Sequence, residues 1–454
     1  MVKEKSFYKN LLMLSLPIAA QNIITYLVGL GDNVMVASLG ETAVSGVYVA
    51  NQITNLLQMF VAGISAALTV LAAQYWGRGD RESVKSIIAV AFKICLAVSA
   101  LLWGVMFFFT GQVLGLFTNE PEVAAAGVEY TRPLCFTYLP FCMTNLLIAS
   151  MRCVESVKIG SRSAAFALVS DLFLNWVFIY GKLGVPAMGV KGAAVSTVIS
   201  RLLELSVVLW YVMKVDRKLK LRIRELFKKS PYVRDFFRYG APVITGDLLW
   251  GLNLAAQGVI VGHLGTEAIA AVSIAGTMFT IIAVGSYGVR DGAAVIIGKT
   301  VGSGDVEKVK AYAKTLQVIF ISVGAVTGLA ILLSRGAVPL VYRRMDTATL
   351  QTARQLLTVL SVTVVGTSYQ MASLTGIVRA GGSTHFVLVN DLIFVWLIVI
   401  PSAVVAAYVF GAPAWVVFAC LKCDQILKCA VAVVKVNRFK WIKNLTRNAE
   451  SVIS

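Results

Sequence analysis

The chain has 454 residues, 58% of them hydrophobic and only 14% charged, with a formal net charge of +18 at pH 7. A soluble domain of this size needs far more charge to cover its surface, so the composition excludes a soluble enzyme or binding module. The basic excess sits in alternate loops between apolar runs, which marks a membrane topology and excludes a nucleic-acid surface.

Runs of about 20 apolar residues recur along the chain, and each is long enough to cross a ~30 Å hydrocarbon core as a helix. Twelve such spans are expected, at 11–37, 46–72, 87–109, 131–152, 163–181, 190–213, 239–263, 268–298, 311–334, 355–378, 386–409 and 413–435. The first run is too long for a cleavable signal peptide and lacks a small-residue cleavage site. Lys3, Lys5 and Lys9 precede it. GRGDRESVK follows the second span, and Arg152, Lys158 and Arg162 follow the fourth. The longest basic stretch, KVDRKLKLRIRELFKKSPYVRDFFR, follows the sixth, and Lys299, Lys308, Lys310 and Lys314 follow the eighth. KVNRFKWIKNLTR follows the last. The opposite loops (SLGET, GKLGVPAMGVKG, HLGTEA, FGAPA) are short and poor in Lys and Arg; only the loop with Arg335, Arg343 and Arg344 dissents. The positive-inside rule therefore puts both termini in the cytoplasm.

The two halves repeat each other. Pro17 matches Pro242, VMVASLGETAVSGVYVA (34–50) matches VIVGHLGTEAIAAVSIA (259–275), and GRGDRESVK (77–85) matches GSGDVEKVK (302–310), all at an offset of 225 residues. LVSDLFLNW (168–176) matches LVNDLIFVW (388–396) at an offset of 220. The expected fold is an all-α polytopic membrane protein, with a six-helix lobe over 1–213, a basic cytoplasmic linker over 214–238 and a second six-helix lobe over 239–454. An even number of spans per half makes the repeats parallel, and parallel repeats of this kind enclose a central cleft. The halves differ at ionisable positions: Asp32 corresponds to Gln257, Asp247 to Asn22, Arg290 and Asp291 to Ser65 and Ala66, and Asn175 to Val395, whereas Asp171 and Asp391 correspond.

An ionised Asp inside a bilayer costs about 2.5–3.5 kcal/mol even on the mild insertion scale. Asp32 therefore needs a proton, a partner or a bound cation, and either a coupling role or a structural place near the outer interface meets that need. Asp171 and Asn175 are four residues apart and share a helix face. Asp247 lies on an otherwise apolar span, five residues after Pro242. Arg290 and Asp291 are helix neighbours about 100° apart, so each is expected to need a partner on another helix; Asp291 then either attracts cations or forms an interhelical salt bridge. Arg201 with Glu204, and Asp424 with Lys428, have the spacing of same-helix ion pairs.

GRGD and GSGD read as helix-capping turns. There is no GxxxxGK[ST] phosphate loop, and neither His263 nor His385 has a metal-spaced cluster around it, so no cofactor and no enzymatic chemistry are expected. The CxxC at Cys420 and Cys423 lies within a helical run and reads as packing. Trp103, Phe107, Phe108 and Tyr138 are aromatics able either to stack on planar ligands or to pack.

DNVMVASLG (32–40), AQYWGRGD (73–80), Arg152 closing the fourth span, LVSDLFLNWVFIYG (168–181) and GVKGAAVSTVISR (189–201) resemble the multidrug and toxic compound extrusion (MATE) family, in a prokaryotic branch unlike NorM. LGTEAIAAVSI, IIGKTVGSGD and GIVRAGGST repeat the set. The resemblance covers essentially the whole chain. It implies a plasma-membrane antiporter that exports organic cations in exchange for H⁺ or Na⁺; a monomer is expected. A lipid-linked precursor flippase of the same superfamily is the alternative. By the same resemblance Asp32, Asp171, Asn175 and Thr197 form the cation-coupling site and Asp247 a coupling or substrate-cation site; Asp291, by its charge alone, is the other candidate for a substrate or second cation site. The NorM-type branch has acids where this chain has Trp250 and Ser368, which argues against that branch's Na⁺ site here.

Overall fold

In hydrocarbon no water is available to peptide groups, so long apolar segments must satisfy their own N–H and C=O groups as helices. A computed structural model describes residues 2–117, 120–342 and 345–447, and no strand occurs among them; Arg343 and Arg344 lie outside the described residues. Among the described residues eleven helices are long and apolar enough to span: α1 Lys5–Ala37, α2 Glu41–Gly77, α3 Arg81–Phe108, α4 Pro121–Cys153, α5 Lys158–Tyr180, α6 Gly189–Val215, α7 Val233–His263, α8 Thr266–Gly302, α9 Val306–Ser334, α10 Thr347–Arg379 and α11 Thr384–Val409. The expected twelfth span is not one helix. It divides into α12 (Ala414–Leu421) and α13 (Asp424–Asn437). At the break, Lys422 N–H and Cys423 N–H donate to the carbonyls three residues back, Ala419 and Cys420, instead of four back. The CxxC therefore straddles a turn rather than lying within a continuous helix.

The repeat is visible in the helices themselves. α1 and α7 each contain the matched proline, Pro17 and Pro242. Asp80 and Asp305 each accept from the backbone N–H three residues on, both at 3.0 Å, and cap α3 and α9. Gly79 and Gly304 precede these caps at φ +83° and +81°, a region that favours glycine.

The chain divides into two compact units. One holds residues 20–72 and 80–247; the other holds the described residues of 1–19, 73–79 and 248–454. They are called here the first-repeat and second-repeat units. Both carry large exposed apolar side chains, among them Val34, Leu101 and Phe108 in the first and Val326 and Leu397 in the second. Exposed apolar area of that extent belongs in lipid.

Lipid tails are as apolar as the side chains, so membrane helices associate by close packing of small residues. In the first-repeat unit this is clearest between α5 and α6. Ser200 Oγ donates to Ala167 O at 3.0 Å. A methyl group added to Gly192 would lie 2.6 Å from the Phe178 carbonyl oxygen. Gly192 thus sets the depth of the crossing one turn before Ser196.

The basic stretch 214–238 lies against the first-repeat unit. Asp216 accepts from Leu219 N–H at 2.8 Å, and Lys218 Nζ donates to the carbonyls of Val154 and Glu155 at 2.8 and 2.9 Å. Leu219, Leu221 and Leu226 are buried. Glu225 bonds Lys85 at 3.1 Å and accepts from Arg222 N–H at 2.8 Å. Partial burial of Glu225 raises its pKa, but the Arg222 N–H and Lys85 outweigh that, and the net shift is downward.

Gly192→Ala forces backbone from backbone and should cost about 1–3 kcal/mol of stability. Gly29→Ala, which meets open space on α1, should instead gain up to about 1 kcal/mol from helix propensity. Thermal unfolding in detergent compares them; equal midpoints would remove the α5–α6 crossing from this account. Because Glu225 is depressed in the folded state, its contribution is present above the unfolded carboxyl pKa and lost as pH falls through the folded value. Wild type should therefore lose its midpoint advantage over Glu225→Gln on acidification from pH 7 toward 3.5. A pH-independent gap would show that the Lys85 contact does not bind the connector.

Candidate functional site: an acid pair in the first-repeat unit

Three helices bring four polar side chains together. Asp32 stands five residues before the end of α1, Asp171 and Asn175 lie on one face of α5, and Ser196 lies on α6. Asn175 Nδ2 donates to Asp32 Oδ1 at 2.7 Å and to Asp171 Oδ2 at 3.1 Å, so one amide bridges two carboxyls. Asn175 Oδ1 accepts from the Ser196 hydroxyl. The amide is thereby oriented with its nitrogen toward the acids.

Asp171, Asn175 and Ser196 are buried, and Asp32 is half-buried. The remaining oxygen, Asp171 Oδ1, is buried and receives no hydrogen bond, while the Asp32 carboxyl shares the Asn175 amide nitrogen with Asp171. A proton on one acid, or a small hard cation between them, would satisfy it. One helical turn on from the pair, Val36 on α1 and Ile179 on α5 join an apolar cluster with Tyr130, Ala193 and Ala194. The Arg201 charge reaches both carboxyls, but its guanidinium is bonded to Glu204 at 2.8 Å. That same-helix pair, and the one between Asp424 and Lys428 at 3.1 Å, stand as their spacing implied.

The other candidate residues lie differently. Thr197, next to Ser196, donates to Ala193 O of its own helix at 3.0 Å. Asp247 stands on α7 against α2, where a methyl on Gly63 would be 3.5 Å from its Cβ. Asp291 lies on α8 in the second-repeat unit and accepts from Arg290 Nε at 2.7 Å. The expectation that these helix neighbours do not neutralise each other is corrected: their Cβ atoms diverge, but the long Arg side chain swings back to its neighbour, and Arg290 Nη1 also donates to Met371 Sδ on α10 at 3.7 Å. Trp103 stacks on Phe107 at 5.4 Å between ring centroids, and Tyr138 is buried. Sequence reasoning missed Ser196. The available signal was its place four residues after Gly192 on a small-residue face.

Long apolar helices in two matched sets, with acids gathered inside the spans, define a polytopic helical membrane protein built on an internal repeat. A family signature described as MatE matches residues 17–177 and 242–405, one copy in each half. The chain is similar to a probable multidrug resistance protein NorM of Thermotoga maritima, 24% identical over 302 residues, covering 66% of this chain and 65% of that protein. It is also similar to the multidrug resistance protein MdtK of Yersinia pseudotuberculosis, 23% identical over 450 residues, covering 96% and 95%. In fold it is similar to the crystal structure of the eukaryotic MATE transporter AtDTX14, with a TM-score of 0.81 at 20% identity, covering 98% of this chain and 99% of that one. The chain belongs to the MATE family. The flippase alternative is not favoured.

Ser196→Ala leaves the buried Asn175 oxygen without its hydroxyl donor and should cost about 1–3 kcal/mol. Thr197→Ala, which removes only a bond to its own helix, should cost less than half as much. Thermal unfolding of both variants tests this; a larger loss from Thr197→Ala would make Thr197 the supporting hydroxyl.

Proposed function

We propose that this protein is a secondary active antiporter that exports organic cations across the plasma membrane in exchange for H⁺ or Na⁺, with Asp32, Asp171 and Asn175 as the coupling site. The observation that carries this reading is the buried Asp171 oxygen without a donor, beside a second carboxyl on another helix. Two acids this close in a low dielectric cannot both stay ionised without a compensating cation. The site is therefore at rest with a proton or cation bound and under strain without one. The names of the curated relatives support the drug substrate class.

In this scheme an organic cation and the coupling ion compete for the negative charge of the pair. Substrate binds from the cytoplasm while the acids are ionised. Entry of H⁺ or Na⁺ from outside neutralises the charge, changes how α1 and α5 pack, and releases the substrate outward. Asn175 moves with both acids, because its amide holds one on each helix. Each monovalent cation entering down a 100 mV potential supplies about 2.3 kcal/mol, before any concentration gradient. Transport of this kind makes no covalent bond and needs no cofactor. Asp247 and Asp291 are proposed to line the substrate path, and Thr197 to lend its hydroxyl when the coupling ion moves. The repeats act as two lobes, 1–213 and 239–454. The protein works as a monomer with both termini cytoplasmic, as the basic loops support.

Ethidium efflux from cells tests the reading. Asp32→Asn, at matched expression, should abolish energised efflux, and wild type should lose it when one of the H⁺ or Na⁺ gradients is collapsed and not the other. Undiminished efflux by Asp32→Asn would make Asp32 structural and shift the coupling role to Asp247.

A further inference from the structure

The second-repeat unit contains the counterpart of the acid site, and its contents are different. Asp391 corresponds to Asp171, and Gln257 and Val395 replace Asp32 and Asn175. KVDR (214–217) matches KVNR (435–438) at an offset of 221 residues. That register pairs Ser196 with Val417, Arg201 with Lys422, Glu204 with Gln425 and Val207 with Lys428. Of the four side chains that build the first site, only one acid persists. In exchange, a lysine has appeared where the first repeat has a valine.

That lysine occupies the acid. Lys428 Nζ bonds Asp391 at 2.8 Å and Asp424 at 3.1 Å, and its side chain is only 3% exposed. Its ammonium also lies 5.9 Å from the centre of the Phe394 ring. Asp424 accepts in addition from Gln425 at 2.8 Å, and Gln425 accepts from Gln370 at 2.8 Å. The neighbouring base, Lys422, is bonded to Gln257 at 3.1 Å, the residue that replaces Asp32. A monovalent positive charge thus sits between two carboxylates, as an ion would, but on a covalent stem. Unlike H⁺ or Na⁺, it cannot leave.

We propose that Lys428 is a tethered cation that permanently fills the ion site of the second repeat, so that exchangeable cations enter the first repeat alone. The inference rests on the antiporter reading and assigns its stoichiometry. Asp391 is then no coupling acid despite its match to Asp171. The duplicated fold keeps a neutralised acid in the second repeat for packing and spends its exchangeable charge in the first.

The test counts cations on the purified full chain in detergent, as protons taken up between pH 9 and pH 5 and as radioactive Na⁺ bound at saturation. Asp391→Asn should leave both counts and the ion dependence of ethidium efflux as in wild type. Lys428→Met exposes Asp391 and Asp424 to each other and should add one exchangeable cation per chain, which the double variant Lys428→Met/Asp391→Asn should lose again. A lower count or altered ion dependence in Asp391→Asn overturns the proposal, as does a monodisperse Lys428→Met with the wild-type count. Should Lys428→Met not fold, Asp391→Asn decides alone. Asp32→Asn separates this inference from the reading beneath it: an undiminished count there defeats the coupling site and leaves the Lys428 result to be read by itself.

Discussion

A carboxylate moved from water into hydrocarbon loses hydration worth several kcal/mol, and a second carboxylate beside it adds repulsion that a low dielectric barely screens. Asp32 and Asp171 impose both costs on the first-repeat unit. The geometry around them is what makes the costs bearable. One amide nitrogen is shared by the two acids, the amide is held in orientation by the Ser196 hydroxyl, and an ion-paired Arg201 lends its field without closing on either acid. Each support comes from a different helix or helix face. In the proposed antiporter the positions of α1, α5 and α6 would be tied to the charge state of the pair, which is what coupling requires.

The helix crossings follow from the same need. Asn175 meets Ser196 only because α5 and α6 approach until backbone touches backbone at Phe178 and Gly192. Small residues permit that approach, and in lipid no hydrophobic force would produce it without them. The glycine and serine content of α6 is thus part of the acid site, although neither Gly192 nor Ser200 touches an acid.

Duplication supplied two copies of this scaffold, and the copies keep some features and have lost others. The prolines recur inside matched helices, and the capping aspartates and the glycines before them agree between halves down to backbone angle. The buried polar sets do not. Where the first repeat holds acids bridged by an amide, the second holds an acid closed by a lysine on α13, after a break in the last span. The break and the lysine head at Gln257 occur together. A continuous helix was expected there because hydropathy averages over a turn, and a two-residue interruption does not register in a window of 20.

Amino-acid order alone determined the class, the spans, the repeat and the candidate acids, because hydrophobic length, loop charge and a constant offset are one-dimensional quantities. It also placed Asp171 and Asn175 on one face and paired Arg201 with Glu204, since both relations are set by 3.6 residues per turn. Order alone did not decide which acids meet. Asp32 and Asp171 are far apart in the chain, and only the packing of α1 on α5 brings them to one amide. Nor did it choose between Ser196 and Thr197, adjacent hydroxyls whose helix phase differs by about 100°, or anticipate that Arg290 would fold back onto Asp291. Those outcomes depend on which face each helix buries and how far a side chain reaches, and both are fixed only in three dimensions.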